Sequence, residues 1–189
     1  MGTRGLYGFR KDGVDKLTYN HFDSYPEGLG ADVIRFCSET LVTEMNAIFD
    51  KIILVNNDSR PTKKQIEECM RYYNGAVSEQ SVFDWYCLLR NTQGNLNVYK
   101  EDLKYMLDDN NFIKDSLFCE YAYIINLDTN CLEFWVGFQK TPYEGNRYGT
   151  ETNDNRHKYY PCRMMAYYPF DTNKTVEEIV ADMQKISEE

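Results

Sequence analysis

Residues 2–30 read GTRGLYGFRKDGVDKLTYNHFDSYPEGLG, and the rest of the chain is arranged around them. Residues 3–10 alternate between apolar and other side chains, which is the period of a β-strand. The turn signal KDG at residues 11–13 then predicts that residues 15–22 return as an antiparallel partner. A loop rich in polar side chains, Pro and Gly follows over residues 23–30. This stretch predicts the first hairpin of a β-sheet, ending in a loop that is able to carry chemistry.

Later segments carry further strand and helix signals. Two apolar runs flank a polar turn within residues 119–138, so this segment predicts a second hairpin. Residues 162–168 are typical of one more strand, bounded by prolines. Apolar residues at steps of three and four predict helices. The predicted helices cover residues 31–55 (with a break at Ser38 or Glu39), 62–74, 81–90, 175–186 and, as a shorter piece, 100–108.

Together these patterns predict one α+β domain over residues 1–189. We expect a mixed or largely antiparallel sheet, built from the two hairpins and the 162–168 strand and covered by about four or five helices. Residues 141–159, TPYEGNRYGTETNDNRHKY, hold almost no aliphatic side chains. They therefore predict a long, mobile surface loop rather than a part of the core.

The composition excludes several function classes. The chain has 21 basic residues dispersed among 30 acidic ones, for a net charge of −9, and this argues against a nucleic-acid partner. Six cysteines without a CxxC pair, and two distant histidines, predict no metal site and the reduced thiols of a cytoplasmic protein. No apolar run is long enough to span a membrane, and no cofactor motif occurs. We therefore expect a protein or small-molecule partner and no cofactor.

The first candidate site is the loop that follows the first hairpin. If residues 19–23 are extended, Tyr19, His21 and Asp23 share one face of the strand. A histidine close to an aspartate can serve as an acid or a base. The alternative is structural, because Asp23 and Ser24 are residue types that bond backbone amides in turns, with His21 packed at the surface.

The second candidate is the loop at residues 141–159, which is the most basic stretch of an acidic chain. Its Arg147 and His157 stand among tyrosines, so the loop could close over an anionic small ligand. The alternative is a solvated loop that is disordered until something binds. We expect the functional surface where this loop faces residues 19–25, with Tyr19 and Tyr25 contributing to ligand binding.

The opening of the chain also resembles the start of N-terminal nucleophile hydrolases, in which the first residue of a strand is the nucleophile and the next strand ends in an Asn- or Asp-bearing loop. The chain departs from that pattern because Gly2 has no nucleophile. The resemblance implies a catalytic Thr3 once Met1 and Gly2 are removed, with Asn20 or His21 and Asp23 assisting. A non-catalytic relative would place Thr3 and Arg4 near a pocket.

The same opening, GTRG followed by YNHFDSYPEGLG, resembles proteins of phage, prophage or other bacterial origin that have no established activity. This resemblance implies an accessory or host-interaction role and no particular site residue. We therefore expect a non-enzymatic binding or interaction protein. The alternative is an amide hydrolase or transferase that uses Thr3.

Overall fold

The computed structural model describes residues 2–77, 81–152 and 157–188. Seven strands occur in these ranges: β1 (Gly5–Lys11), β2 (Val14–Asn20), β3 (Ile53–Val55), β4 (Tyr105–Leu107), β5 (Tyr121–Asn126), β6 (Cys131–Val136) and β7 (Arg163–Pro169). The main sheet has the spatial order β2-β1-β5-β6-β7. β1 and β5 run parallel, whereas the other neighbours are antiparallel. Both predicted hairpins, the last strand and the mixed sheet are confirmed.

The turns of the two hairpins contact each other. Asp12 and Gly13 form the two-residue turn of the first hairpin. Both have positive φ angles, of 53° and 72°, as a type I′ turn requires. Their amides donate to the carboxylate of Asp128, in the second turn, at 2.6 and 3.0 Å. These bonds lower the pKa of Asp128. The chemistry of the turn residues thus fixes where the hairpins meet.

Five α-helices lie in the described ranges, and they confirm the predicted α+β class: α1 (Ala31–Glu39), α2 (Val42–Lys51), α3 (Lys63–Cys69), α4 (Trp85–Leu88) and α5 (Val176–Ser187). The predicted capping box of Thr62 with Gln65 opens α3. Within residues 2–77, 81–152 and 157–188, no helix has the length and apolar character needed to cross a bilayer.

Three of the predicted helices are shorter in the structure, and a fourth is not a helix. The one predicted over residues 62–74 is α3 followed by a 3₁₀-helix at Met70–Tyr72. The break predicted at Ser38 or Glu39 in the helix over residues 31–55 occurs at Thr40, which is extended, and the second helix ends at Lys51 instead of residue 55. Its last apolar residues form β3, which pairs in parallel with β4 where a helix over residues 100–108 was expected. The helix expected over residues 81–90 shrinks to α4. Apolar runs this short suit a strand as well as a helix, and here the pairing partner decides.

The two faces of the sheet are covered differently. One face carries Tyr7, Phe9 and Tyr123 into the main core, which includes side chains of α1, α2 and α5. The opposite face carries a second, smaller core, closed by Ile113 of a short 3₁₀-helix (Asn110–Lys114) and by Tyr148 from the loop after β6. The expectation that this loop lies outside any core is therefore wrong for Tyr148. Residues 153–156 of the loop lie outside the described residues.

Candidate functional site

The loop after β2 is held in place by the buried side-chain amide of Asn20. The side chain of Asn20 donates to the carbonyl of Phe22 and, at 2.9 Å, to Oγ of Ser24. Ser24 is fully buried, and its carbonyl accepts from the hydroxyl of Tyr123 at 2.9 Å. Its amide donates to the carbonyl of Thr3 at 3.1 Å. Asn20 and Thr3 therefore have structural bonds that fix the loop on the sheet.

Asp23 does not continue the strand. Its φ of 54° lies in the left-handed region, and its carbonyl accepts from the amide of Leu29 at 2.8 Å. A side chain at Gly28 would place a Cβ 2.1 Å from that carbonyl, so the turn requires glycine there. The reversal leaves Tyr25 partly exposed, and the carboxylate of Asp23 raises the pKa of its phenol.

Tyr19 and His21 do share one face, as the strand period predicts. The hydroxyl of Tyr19 lies 2.7 Å from Nδ1 of His21, and the amide of His21 donates to Oε1 of Gln93 at 3.1 Å. Asp23 is absent from these bonds because β2 ends at Asn20, before the alternation reaches it. The structure therefore pairs the histidine with a phenol instead of the expected carboxylate.

Two arginines flank this pair. The guanidinium of Arg90 lies over the rings of Phe22 and Tyr86, at 5.7 and 5.9 Å, and its Nη1 donates to Gln93 at 2.8 Å. That of Arg4 stacks on the ring of Phe118 at 4.8 Å. Within the described residues, neither guanidinium forms an ion pair with a carboxylate. The Nε of Arg90 is also buried with no hydrogen-bond partner there.

The electrostatics follow from this arrangement. Burial lowers the pKa of His21, and the positive charges of Arg90 and Arg4 lower it further. Burial raises the pKa of Tyr19 to about 12. At neutral pH the histidine and the phenol are both uncharged, so the two arginines are the charged groups beside them. We call Arg4, Tyr19, His21, Phe22 and Arg90 the arginine cluster.

A cavity of about 400 Å³ opens beside the arginine cluster. Arg90, Gln93 and Phe22 contribute to its lining, and so do Asp23 and Asp32. The cavity therefore combines a cation, an exposed aromatic ring and two carboxylates. Its volume lies in the range of sites for small ligands, roughly 300–1,000 Å³.

The structure does not bring Arg147 to this site. Its two Nη atoms bind both carboxylate oxygens of Glu133, and its guanidinium stacks on Trp135 at 4.8 Å. The neighbouring Tyr148 bonds Asp15, near the start of β2, whereas the arginine cluster follows the end of that strand. At about 3.3 Å per residue, Asp15 and Tyr19 are roughly 13 Å apart. His157 is exposed and directly follows residues 153–156.

Thr3 lines neither the cavity beside Arg90 nor a second cavity at Tyr148. It is half-buried, and the preceding Gly2 packs against the ring of Phe22. Arg4 directly precedes β1, and the pairing of Gly5 with Asn20 places it near the end of β2. A ligand-binding role for Arg4 and Tyr19 stays a prediction. Sequence reasoning missed Arg90, Gln93 and Phe118, since these residues reach the site through contacts that no local pattern encodes.

Within the described ranges, no group of three or more histidine, cysteine, aspartate and glutamate side chains is placed to hold a metal ion. Comparison with protein-family models, with curated protein sequences and with solved structures finds no match to this chain.

Proposed function

We propose that the chain is a non-enzymatic binding protein, and that the arginine cluster binds the anionic group of its ligand. One observation carries this proposal. The guanidinium groups of Arg4 and Arg90 lie on exposed aromatic rings, and neither forms an ion pair with a carboxylate among the described residues, although the chain carries 30 acidic side chains. A carboxylate or phosphate is the group that guanidinium donors bind best.

The exposed aromatic rings beside the two arginines indicate the chemistry of the rest of the ligand. Phe22 is 53% exposed and Phe118 is 42% exposed, and each lies against one of the two guanidinium groups. Exposed aromatic residues next to arginine are the composition of binding hot spots. We therefore assign to the site a ligand with an anionic group on an aromatic or apolar body.

The test is a calorimetric titration with phenyl phosphate at pH 7.5 and low salt. We expect saturable binding of one molecule per chain, tighter than that of inorganic phosphate because the phenyl ring adds stacking. Arg90→Gln and Arg4→Gln should each weaken binding roughly 10-fold or more, since a hydrogen bond to a charged group contributes about 1.5–3 kcal/mol. Added NaCl should weaken it further.

Arg163→Gln is the matched control, because Arg163 also stacks on a tyrosine, Tyr143, at 4.3 Å, but lies on β7. Its affinity for phenyl phosphate should equal that of the unmodified protein. Equal binding by all four proteins, or the absence of saturation, contradicts the proposal. The Thr3 hydrolase and the phage accessory role stay predictions, and no observation of this structure favours either one.

A further inference from the structure

A further cavity, of about 350 Å³ and distinct from those at Arg90 and at Tyr148, lies between α1, α5 and the end of β7. Its apolar lining comes from Ile34 of α1, Leu132 of β6, and Val176 and Ile179 of α5. The cavity is separate from the arginine cluster, and none of its lining residues belongs to the site proposed above. A pocket of this size and lining is typical of sites for small organic molecules.

One polar group in this cavity lacks a partner. Tyr168 lines the cavity and is only 7% exposed, and its hydroxyl is buried without a hydrogen bond to any described residue. Pairing of Tyr168 with Leu132 in the sheet places both side chains on the helix-covered face. Burial raises the pKa of this phenol to about 12, so the hydroxyl keeps its proton and is a donor. Buried donors without an acceptor are rare, because each one lacks the bonds that water would supply.

The charges at the cavity argue against an anionic ligand, and its apolar lining favours an uncharged one. Lys174 lines the cavity, but it forms an ion pair with Asp182. Glu177 adds a carboxylate to the lining, so the described lining offers no unpaired cation to a ligand. This cavity thus differs from the arginine cluster, whose guanidinium groups lack carboxylate partners within the described residues.

We propose that this cavity is a binding site for a small, neutral, largely apolar molecule that carries one hydrogen-bond acceptor, such as a ketone, an ester or an amide. The apolar body contacts Ile34, Leu132 and Ile179. The acceptor oxygen of the ligand accepts a hydrogen bond from the Tyr168 hydroxyl, which keeps its proton. The site is independent of the anion site, so either proposal can fail without the other.

The probe for the test is 6-propionyl-2-(dimethylamino)naphthalene, a neutral two-ring ketone whose fluorescence shifts to the blue in apolar surroundings. We expect one saturable site per chain with blue-shifted emission. Val176→Phe, which fills the cavity at the first residue of α5, should weaken binding at least 10-fold. Val42→Phe is the matched control at the first residue of α2, and it should leave the affinity unchanged.

Tyr168→Phe tests the acceptor without changing the shape of the cavity. We expect the dissociation constant to rise roughly three- to tenfold, as the loss of one neutral hydrogen bond implies. Tyr72→Phe is its control, because Tyr72 is also 7% exposed with a partnerless buried hydroxyl in the described structure, yet it does not line this cavity. The melting temperature of Tyr168→Phe should not fall, since the removed hydroxyl has no bond to lose.

Saturable binding that weakens in Val176→Phe and in Tyr168→Phe but not in the two controls supports the site. No saturable binding by the unmodified protein overturns it. Equal affinity of Tyr168→Phe and Tyr72→Phe overturns the assigned hydrogen bond.

Discussion

Arginines lie near both ends of β2, but among the described residues only near its start does one form an ion pair with a buried carboxylate. Toward the start of the strand, Arg147 forms a two-fold ion pair with Glu133, which is only 4% exposed and also accepts from Asn126 and Trp135. Beyond its end, Arg4 and Arg90 lie on aromatic rings, and neither guanidinium forms an ion pair with a carboxylate of the described residues. The first arrangement uses the charge within the fold, and the second leaves it available to a ligand.

This difference separates arginines that stabilise the fold from arginines that are available to bind a ligand. A buried ion pair is strongly coupled to stability, because removal of one partner leaves an uncompensated charge in the interior. A guanidinium on an exposed ring contributes little to folding, so its position in an acidic chain calls for another explanation. The sequence predicted that the basic loop around Arg147 binds a ligand, but Arg147 instead forms an ion pair within the fold.

The largest expected effect is the loss of stability in Arg147→Met. This change leaves the carboxylate of Glu133 buried without its cation, and we expect it to lower the free energy of unfolding by about 3 kcal/mol. Urea unfolding followed by circular dichroism measures it. The double variant Arg147→Met with Glu133→Gln is the control and should recover much of the loss. A single variant as stable as the unmodified protein would contradict the structural role.

The same loss should depend on pH. Burial pushes the pKa of Glu133 upward, but the hydrogen bonds from Arg147 and Asn126 outweigh it, so the net shift is downward. A lowered folded-state pKa stabilises the protein above the ordinary value of about 4.3, and this contribution is lost as the pH falls through the folded-state value. The gap between Arg147→Met and the unmodified protein should therefore shrink between pH 6 and pH 3. A gap that is constant over this range would contradict the assignment.

Asp109 is a half-buried carboxylate that forms no ion pair with an arginine of the described residues. Burial raises its pKa to about 6, although its Oδ2 accepts from the amide of Tyr19 at 2.9 Å. The raised value stabilises the folded state below pH 4, and this contribution is lost as the pH rises through 6. Asp109→Asn keeps an acceptor for Tyr19 without the charge.

We expect Asp109→Asn to raise the free energy of unfolding at pH 8 by about 1 kcal/mol, after allowance for solvent screening, and to change it little at pH 4. Urea unfolding at the two pH values measures both effects. Asp108→Asn, at the exposed neighbouring residue, is the control. A variant that is destabilised at pH 8 would show that the carboxylate charge is needed at the edge of the sheet.

The smallest expected effect on stability is that of Arg90→Gln. The change removes two ring contacts and one hydrogen bond, but it also removes a buried Nε that has no partner among the described residues. We expect the free energy of unfolding to stay within about 0.5 kcal/mol of the unmodified protein. A loss near that of Arg147→Met would place Arg90 among the structural cations and remove the basis of the comparison.

The sequence predicted the parts of the fold that local chemistry determines. Period-two runs and the turn residues at 11–13 and 128–130 predicted both hairpins, and Thr62 with Gln65 predicted the start of α3. The pairing of β3 with β4 was missed, because three-residue strands have no period of their own. It depends on two segments about 50 residues apart in the sequence.

The candidate site was predicted only in part, for a similar reason. The alternation of β2 placed Tyr19 beside His21, but the positive φ of Asp23 ended the alternation before the carboxylate could join them. Arg90 follows an apolar run and reaches the site only through tertiary packing. A signal for Arg147 did exist, since Glu133 stands inside the apolar strand CLEFWV, where a buried carboxylate requires a cation.

The most direct test of the central claim is the pKa of the His21 imidazole, followed by NMR in the unmodified protein and in Arg90→Gln. The titrations are run in sodium chloride and again in sodium sulfate at equal ionic strength, with the resonances of His157 as an internal reference. We expect the pKa of His21 to lie below 6.5 in chloride, to rise in sulfate, and to rise in Arg90→Gln, where sulfate then has a smaller effect. A His21 pKa that neither sulfate nor Arg90→Gln changes would contradict an anion site at the arginine cluster.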